Sequence, residues 1–284
     1  FFIPEEPLFG LDQEAEEHNR IVGPMTAIWL LVFSLPLFLF TPDGKNTTFT
    51  VKQAVSQGLK EVWTTVRAVS HYSNVALYLI ARMIFNDGLV GILIFSGVYA
   101  AGTFGWDAIS LLIFGIVTSL SAAIGAVIGG VVDDRFGSKV AVLIAIGGTA
   151  LLLVIGVSLQ PDSILYLIDV TPGVAVWSSP YFKTLPEVLY FLNTQLFGMF
   201  ITVGFASART MMARISPPEL VTQFFGLYAL SGTATAFMAP LLVGFFTDFF
   251  ESQRAGLASL IGLLVVGFVM MIFVKEEQAT KPDI

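Results

Sequence analysis

Seven apolar runs, each long enough to cross a lipid bilayer, leave this chain few ways to fold. They lie at about residues 21–40, 73–101, 106–132, 140–159, 186–213, 220–249 and 255–274. A transmembrane helix needs about 20 mostly apolar residues. Inside hydrocarbon every backbone N–H and C=O must be paired within the protein, which leaves helices or closed barrels. The runs are continuous rather than alternating, and that selects helices. The composition agrees, with 55% of residues hydrophobic and 12% charged, against about 25% charged in soluble domains. The sequence therefore predicts an all-α membrane protein, a polytopic bundle of seven transmembrane helices.

The segments between the runs set the organisation. Residues 1–20 are polar and acidic and read as an extramembrane loop outside the cytoplasm. In the linker, residues 41–72, Val51, Val55, Leu59, Val62, Val66 and Val69 recur at helical spacing with Lys52, Lys60, Glu61 and Arg67 between them. That pattern predicts an amphipathic helix at the membrane surface, serving as a connector over helix ends or as a regulatory element. Asn46-Thr47-Thr48 has the form of a glycosylation sequon, but the orientation below puts it in the cytoplasm. Ser216-Pro217-Pro218-Glu219 reads as a capping box that opens the sixth run, which Gly226, Gly232, Pro240 and Gly244 interrupt. Residues 275–284 are a polar tail.

Orientation follows from Lys and Arg. Of the fourteen, ten fall on the side of the linker, the 133–139 loop and the C-terminus, three fall on the other side, and Arg82 lies within a span. The richer side is cytoplasmic. The net charge of −7 adds little, because Asp and Glu contribute weakly to orientation. With no cysteine, disulfides and thiol chemistry are excluded. There is no phosphate-binding glycine loop, nucleophile elbow, His/carboxylate metal cluster or basic patch. The chain is thus expected to be no enzyme, to need no cofactor or metal and to bind no nucleic acid. Its expected partners are the bilayer and a small molecule.

Charges near the bilayer centre are costly and mark function by default. At 1.5 Å per residue from Ser73, Arg82 lies about 13 Å and Asp87 about 21 Å deep. Arg82 and Asn86 are four apart and share a face. The reading is that this cluster faces a central cavity. Asp87 would be a protonatable group or the contact for a substrate amine, and Arg82 would hold a carboxylate or pair with Asp87. The alternative is a buried Arg–Asp pair that only joins helices. Asn193, Gln195, Thr233 and Thr235 are weaker cavity candidates, with interhelical hydrogen bonding the plainer reading. Arg209 either snorkels to the cytoplasmic surface or pairs with Asp133 or Asp134 as part of a gate. Asp133 otherwise reads as a solvated loop charge.

Gly130, Asp134, Arg135, Gly137 and Lys139 form the spacing G-x-x-x-D-R-x-G-x-K between the third and fourth runs. Gly137 suits the positive φ of a sharp turn. This spacing resembles the loop motif of the major facilitator superfamily, which joins helices 2 and 3 and recurs between helices 8 and 9. One run precedes the cytoplasmic linker here and six follow, with the motif after the second of the six. The chain thus looks like helices 6 to 12: the C-terminal six-helix bundle, residues 73–274, plus one preceding helix. Three stretches resemble the bacterial branch of the vacuole-effluxer-like family within that superfamily. They are Ala81-Arg-Met-Ile-Phe-Asn-Asp-Gly88 continuing to Gly105, Ser207-Ala-Arg-Thr-Met-Met-Ala-Arg-Ile-Ser-Pro-Pro-Glu219, and Phe224-Phe-Gly-Leu-Tyr-Ala-Leu-Ser-Gly232 with Thr235-Ala-Phe-Met-Ala-Pro240.

The resemblance implies a secondary active transporter of a small solute, proton-coupled and working by alternating access. It implies a bacterial plasma membrane location, with amino acids as the cargo associated with fungal relatives. Its N-terminal half is expected to precede the Phe1-Phe2-Ile3-Pro4 start, which makes this a fragment. A non-transporting membrane scaffold or accessory subunit on the same helices is the second reading. The loop at 160–185 looks longer than the family requires.

Overall fold

A computed structural model describes residues 17–41, 50–69 and 71–277. The expected acidic loop up to residue 16, the sequon and the end of the polar tail lie outside the described residues. The chain divides into two compact units, Phe1–Ser56 and Gln57–Ile284. The first holds the short α1 (Glu17–Arg20) and α2 (Val22–Phe40). α2 has no buried residue, and Trp29, Phe33, Leu37 and Phe40 are all exposed. An apolar surface on every side is what a helix surrounded by lipid carries. Linker residues do form a helix, α3 (Val51–Val69).

The second unit contains α4 (Ser73–Phe104), α5 (Ala108–Phe136), α6 (Ser138–Val157), α7 (Leu185–Ile215), α8 (Val221–Ser231), α9 (Met238–Phe249) and α10 (Gln253–Phe273). Contacts along the helices show strict alternation. α10 runs antiparallel to α4, with Lys275 beside Asn74, Leu264 against Gly88 and Gln253 against Gly102. α6 and α7 are antiparallel, since Gly148 meets Phe200 while Gly156 meets Asn193. α5 and α7 run the same way, with Gly125 on Met199 and Gly129 on Val203. Those two glycines are the small-xxx-small face: a Cβ on Gly125 would lie 2.5 Å from Met199 Cα, so only glycine admits the contact. Tyr78, Phe85, Leu89, Tyr99 and Tyr190 are fully buried at the centre. Their hydroxyls are paired across helices, Tyr78 to the carbonyl of Ala208 and Tyr190 to that of Ser96 at 2.9 Å.

This is an all-α polytopic membrane bundle. Six helices among the described residues are long and apolar enough to span: α2, α4, α5, α6, α7 and α10. The run over 220–249, expected as one span interrupted by Gly226, Gly232, Pro240 and Gly244, is divided outright. It divides into a short 3₁₀ turn (Pro218–Leu220), α8 and α9, with turns over 232–237. Pro240, in the first turn of α9, explains the break. It has no N–H for the carbonyl of Ala236, and its ring clashes with that carbonyl if the helix continues. Gly232 weakens the ladder further. The bonds that replace it are short-range, from the N–H of Gly232, Thr233 and Ala236 to the carbonyls of Ala229, Leu230 and Thr233. The pair still follows α4 along its length, for Tyr228 sits by Arg82 and Ala239 by Gly91.

One local expectation is also corrected. Ser216 does not open a capping box, because Pro217 and Pro218 keep residues 216 and 217 extended. Its Oγ instead donates to the Met212 carbonyl and closes α7. The capping box belongs to Thr184 and Glu187 at the start of α7. Between α6 and α7 the loop carries a two-residue hairpin, β1 (Ser163–Ile164) and β2 (Ile168–Asp169), paired Ser163 to Asp169. The indole N–H of Trp177 ties its far limb to the Phe182 carbonyl at 2.8 Å.

Candidate functional site

The break between α8 and α9 lies against the charged turn of α4. The last carbonyls of α8 lack helical N–H partners and form its negative end, although the Ser231 hydroxyl donates to the Tyr228 carbonyl at 2.8 Å. Arg82, only 7% exposed, supplies the missing donors. Its Nη1 donates to the Tyr228 carbonyl at 2.7 Å and to Ser231 Oγ at 2.6 Å. Its Cζ stands 3.5 Å from the centre of the Tyr228 ring, a cation–π contact in a dry setting. Asn86, one turn on, donates from Nδ2 to the Gly232 carbonyl at 3.3 Å. A Cβ on Gly232 would lie 3.1 Å from both Nη atoms of Arg82, so the guanidinium occupies the space that the missing side chain leaves.

Asp87 is 2% exposed and points elsewhere. No cation pairs with it among the described residues, and Arg214 pairs with Asp133 and Glu276 instead. The expected Arg82–Asp87 pair is therefore not formed. Asp87 follows Asn86 by one residue, about 100° round the helix, so Arg82 and Asn86 take the α8 face without it. The polar side chain beside it is Thr235, whose hydroxyl donates to the Met83 carbonyl at 3.3 Å. Asp87 Oδ2 and Arg82 Nε are buried without a partner among the described residues. The remaining polar candidates are not gathered here. Asn193 Nδ2 donates to the Leu152 carbonyl at 3.1 Å, and Gln195 bonds Phe191 and Ser121. Thr233 is exposed and bonds its own turn.

At one end of the bundle, the 130–139 motif forms a second polar centre. Gly137 takes φ +88° and serves both as the end of α5 and the start of α6. Asp133 is buried rather than solvated. It accepts from Ser138 Oγ at 2.8 Å and pairs with Arg214 Nη2 at 2.9 Å. Arg214 Nη1 also reaches Glu276 at 2.6 Å. Glu276 accepts the N–H groups of Ser138 and Lys139, both at 2.9 Å, as an anion at the N-terminus of α6. Burial alone would push its carboxyl up, but bonds from Lys139, Arg214 and Ser138 outweigh this and hold it below the usual glutamate value. Lys139 Nζ donates to the Ile272 carbonyl at 2.7 Å. Asp134, Arg135 and Gly130 are exposed. Arg209, also exposed, is not the partner of the motif. That place belongs to Arg214, more than a turn closer to the end of α7. A basic residue in a helix's last turn is the signal that points to Arg214; Glu276, just past an apolar run, carries none as clear. Among the described residues no group of three His, Cys, Asp or Glu could hold a metal ion.

Comparison with known proteins adds the relatives. A family model described as "Vacuole effluxer Atg22 like" matches residues 8–283. An uncharacterized MFS-type transporter of Bacillus subtilis (strain 168), YxiO, is 25% identical over 267 residues, covering 90% of this chain and 54% of its own length. Autophagy-related protein 22 of Cryptococcus neoformans var. neoformans serotype D (strain JEC21) is 20% identical over 256 residues, 87% of this chain and 42% of the relative. Autophagy-related protein 22-1 of Aspergillus niger is 22% identical over 273 residues, 92% and 42% respectively. The chain thus spans about half the length of the curated relatives it matches. No solved structure matches it.

Proposed function

The chain belongs to the Atg22-like vacuole effluxer family, and from that membership we propose that it forms half of a secondary active transporter. The whole transporter moves a small solute by alternating access, coupled to protons, and the absent half supplies the other wall of the pathway. The relatives' descriptions as a transporter and an effluxer support the class.

The observation that carries the coupling is Asp87. An ionised carboxylate removed from water without a partner costs several kcal/mol at least. Arg82 is committed to α8, so the compensating positive charge must arrive from outside: a proton, or the ammonium group of a cargo. A group that needs a mobile partner, placed beside an interrupted helix, is what coupled transport uses. An amino acid, which brings its own ammonium, is the cargo class we propose. The Lys and Arg bias supports a cytoplasmic Glu276 end, and the family resemblance supports a plasma membrane as the location.

A non-transporting scaffold is the competing reading, and Arg82 favours it, since its visible bonds only hold helices. The two part in one assay. Full-length protein in liposomes should accumulate radiolabelled amino acids from a mixed panel when a pH gradient is imposed, and lose that accumulation when an ionophore dissipates the gradient. A scaffold gives no uptake under either condition, and that result would end the transport reading.

A further inference from the structure

We infer that the segment Gly232–Phe237 is a hinge of the transport cycle, that Arg82 and Asn86 are positioning residues clasping it to α4, and that Thr235 ties it to Asp87. This rests on the transport reading above. The segment lacks a continuous helical ladder, and its backbone bonds span mostly three residues, the weaker 3₁₀ geometry. Thr233, Ala234, Ala236 and Phe237 are exposed. An apolar groove of about 230 Å³, lined by Leu79, Met83, Leu227, Leu230 and Ala234, lies against the same turn and gives it space to move.

What holds the segment is side-chain chemistry from one helix. Arg82 bridges the Tyr228 carbonyl and Ser231 Oγ, and Asn86 holds the Gly232 carbonyl. These bonds satisfy acceptors that the break itself exposes, so straightening or shifting the break must release them. Thr235 has one hydroxyl proton. It serves the Met83 carbonyl with Asp87 as the competing neighbour. A negative charge arriving on Asp87 draws that proton from Met83 to an acceptor one turn further along α4 and shifts the hinge. A proton or ammonium on Asp87 restores the bond. The occupancy of Asp87 and the position of the hinge are thereby linked through one hydroxyl.

The test uses the full-length transporter in membrane vesicles, carrying Ala234→Cys as its one cysteine, labelled with a water-soluble methanethiosulfonate. Removing a charge-assisted hydrogen bond of this kind should raise the labelling rate roughly tenfold. That rise is expected for Arg82→Gln, with a smaller one for Arg82→Lys, which keeps the charge but not the bridge. Ser231→Ala removes one acceptor and leaves Arg82 in place, so it reports on the clasp even where Arg82→Gln fails to reach the membrane. Its rate should rise severalfold. An unchanged rate in folded Arg82→Gln or in Ser231→Ala overturns the clasp, whether or not transport survives. If instead Asp87→Asn keeps its proton coupling while the labelling rates rise, the hinge stands and the role given to Asp87 falls.

Discussion

Five residues separate Arg82 from Asp87 on α4, and with them about 140° of helical rotation. That rotation divides their work. Arg82 donates to the Tyr228 carbonyl and the Ser231 hydroxyl in a dry interior, so Arg82→Ala should lower stability by about 2–4 kcal/mol, with Arg82→Lys recovering part. Thermal unfolding of the purified full-length protein measures this. Both residues were legible in the sequence because a charge inside an apolar run stands out. Their partners were not, because backbone carbonyls become partners only where a helix breaks. Likewise, arginines stand at both 209 and 214, but only the packed end of α7 shows that Arg214 meets Asp133 and Glu276. Glu276 carries a pH consequence. Its folded carboxyl titrates below the usual glutamate value, so its contribution is complete above the unfolded value and is lost as pH falls through the folded one. Glu276→Gln should cost about 1 kcal/mol at neutral pH. The difference from wild type should vanish in acid below the normal glutamate range. A gap that persists there would contradict the assignment.

Among the elements, the span of α8 and α9 was read in the sequence as one interrupted helix, and the structure makes it two. Gly232 and Pro240 were plain in the sequence, but prolines in membrane helices are tolerated when neighbours supply the freed bonds. A kink and a full break therefore look alike until Arg82 and Asn86 are seen on the carbonyls. Pro240→Ala restores an N–H for the Ala236 carbonyl and favours a continuous helix. The expected outcome is unchanged or higher thermal stability with slower transport, the trade expected where strain serves function. Gly125 and Gly129 marked a close contact, and Gly125→Ala should cost about 1–3 kcal/mol, because its Cβ would lie 2.7 Å from the Met199 carbonyl oxygen, a backbone group that cannot swing aside. Cross-linking efficiency between α5 and α7 should fall with it.

At the scale of the whole molecule, alternation of apolar runs and the ten-to-three basic bias gave the order of the helices. The contacts add which ends meet: the start of α4, the α5–α6 turn and the ends of α7 and α10 share one face. An impermeant thiol reagent outside intact cells should label Leu167→Cys, on the 160–184 loop, and not Arg135→Cys; the reverse would invert the proposed orientation. What pattern alone could not supply was the identity of the moving part, since mobility depends on which bonds are absent. The most direct measurement is proton flux. In liposomes holding the full-length transporter and a pH-sensitive dye, adding the transported amino acid should drive protons across for the wild type. Asp87→Asn should abolish that movement while leaving the protein folded. Solute-driven proton flux that persists undiminished in Asp87→Asn would contradict the central role given to this carboxylate.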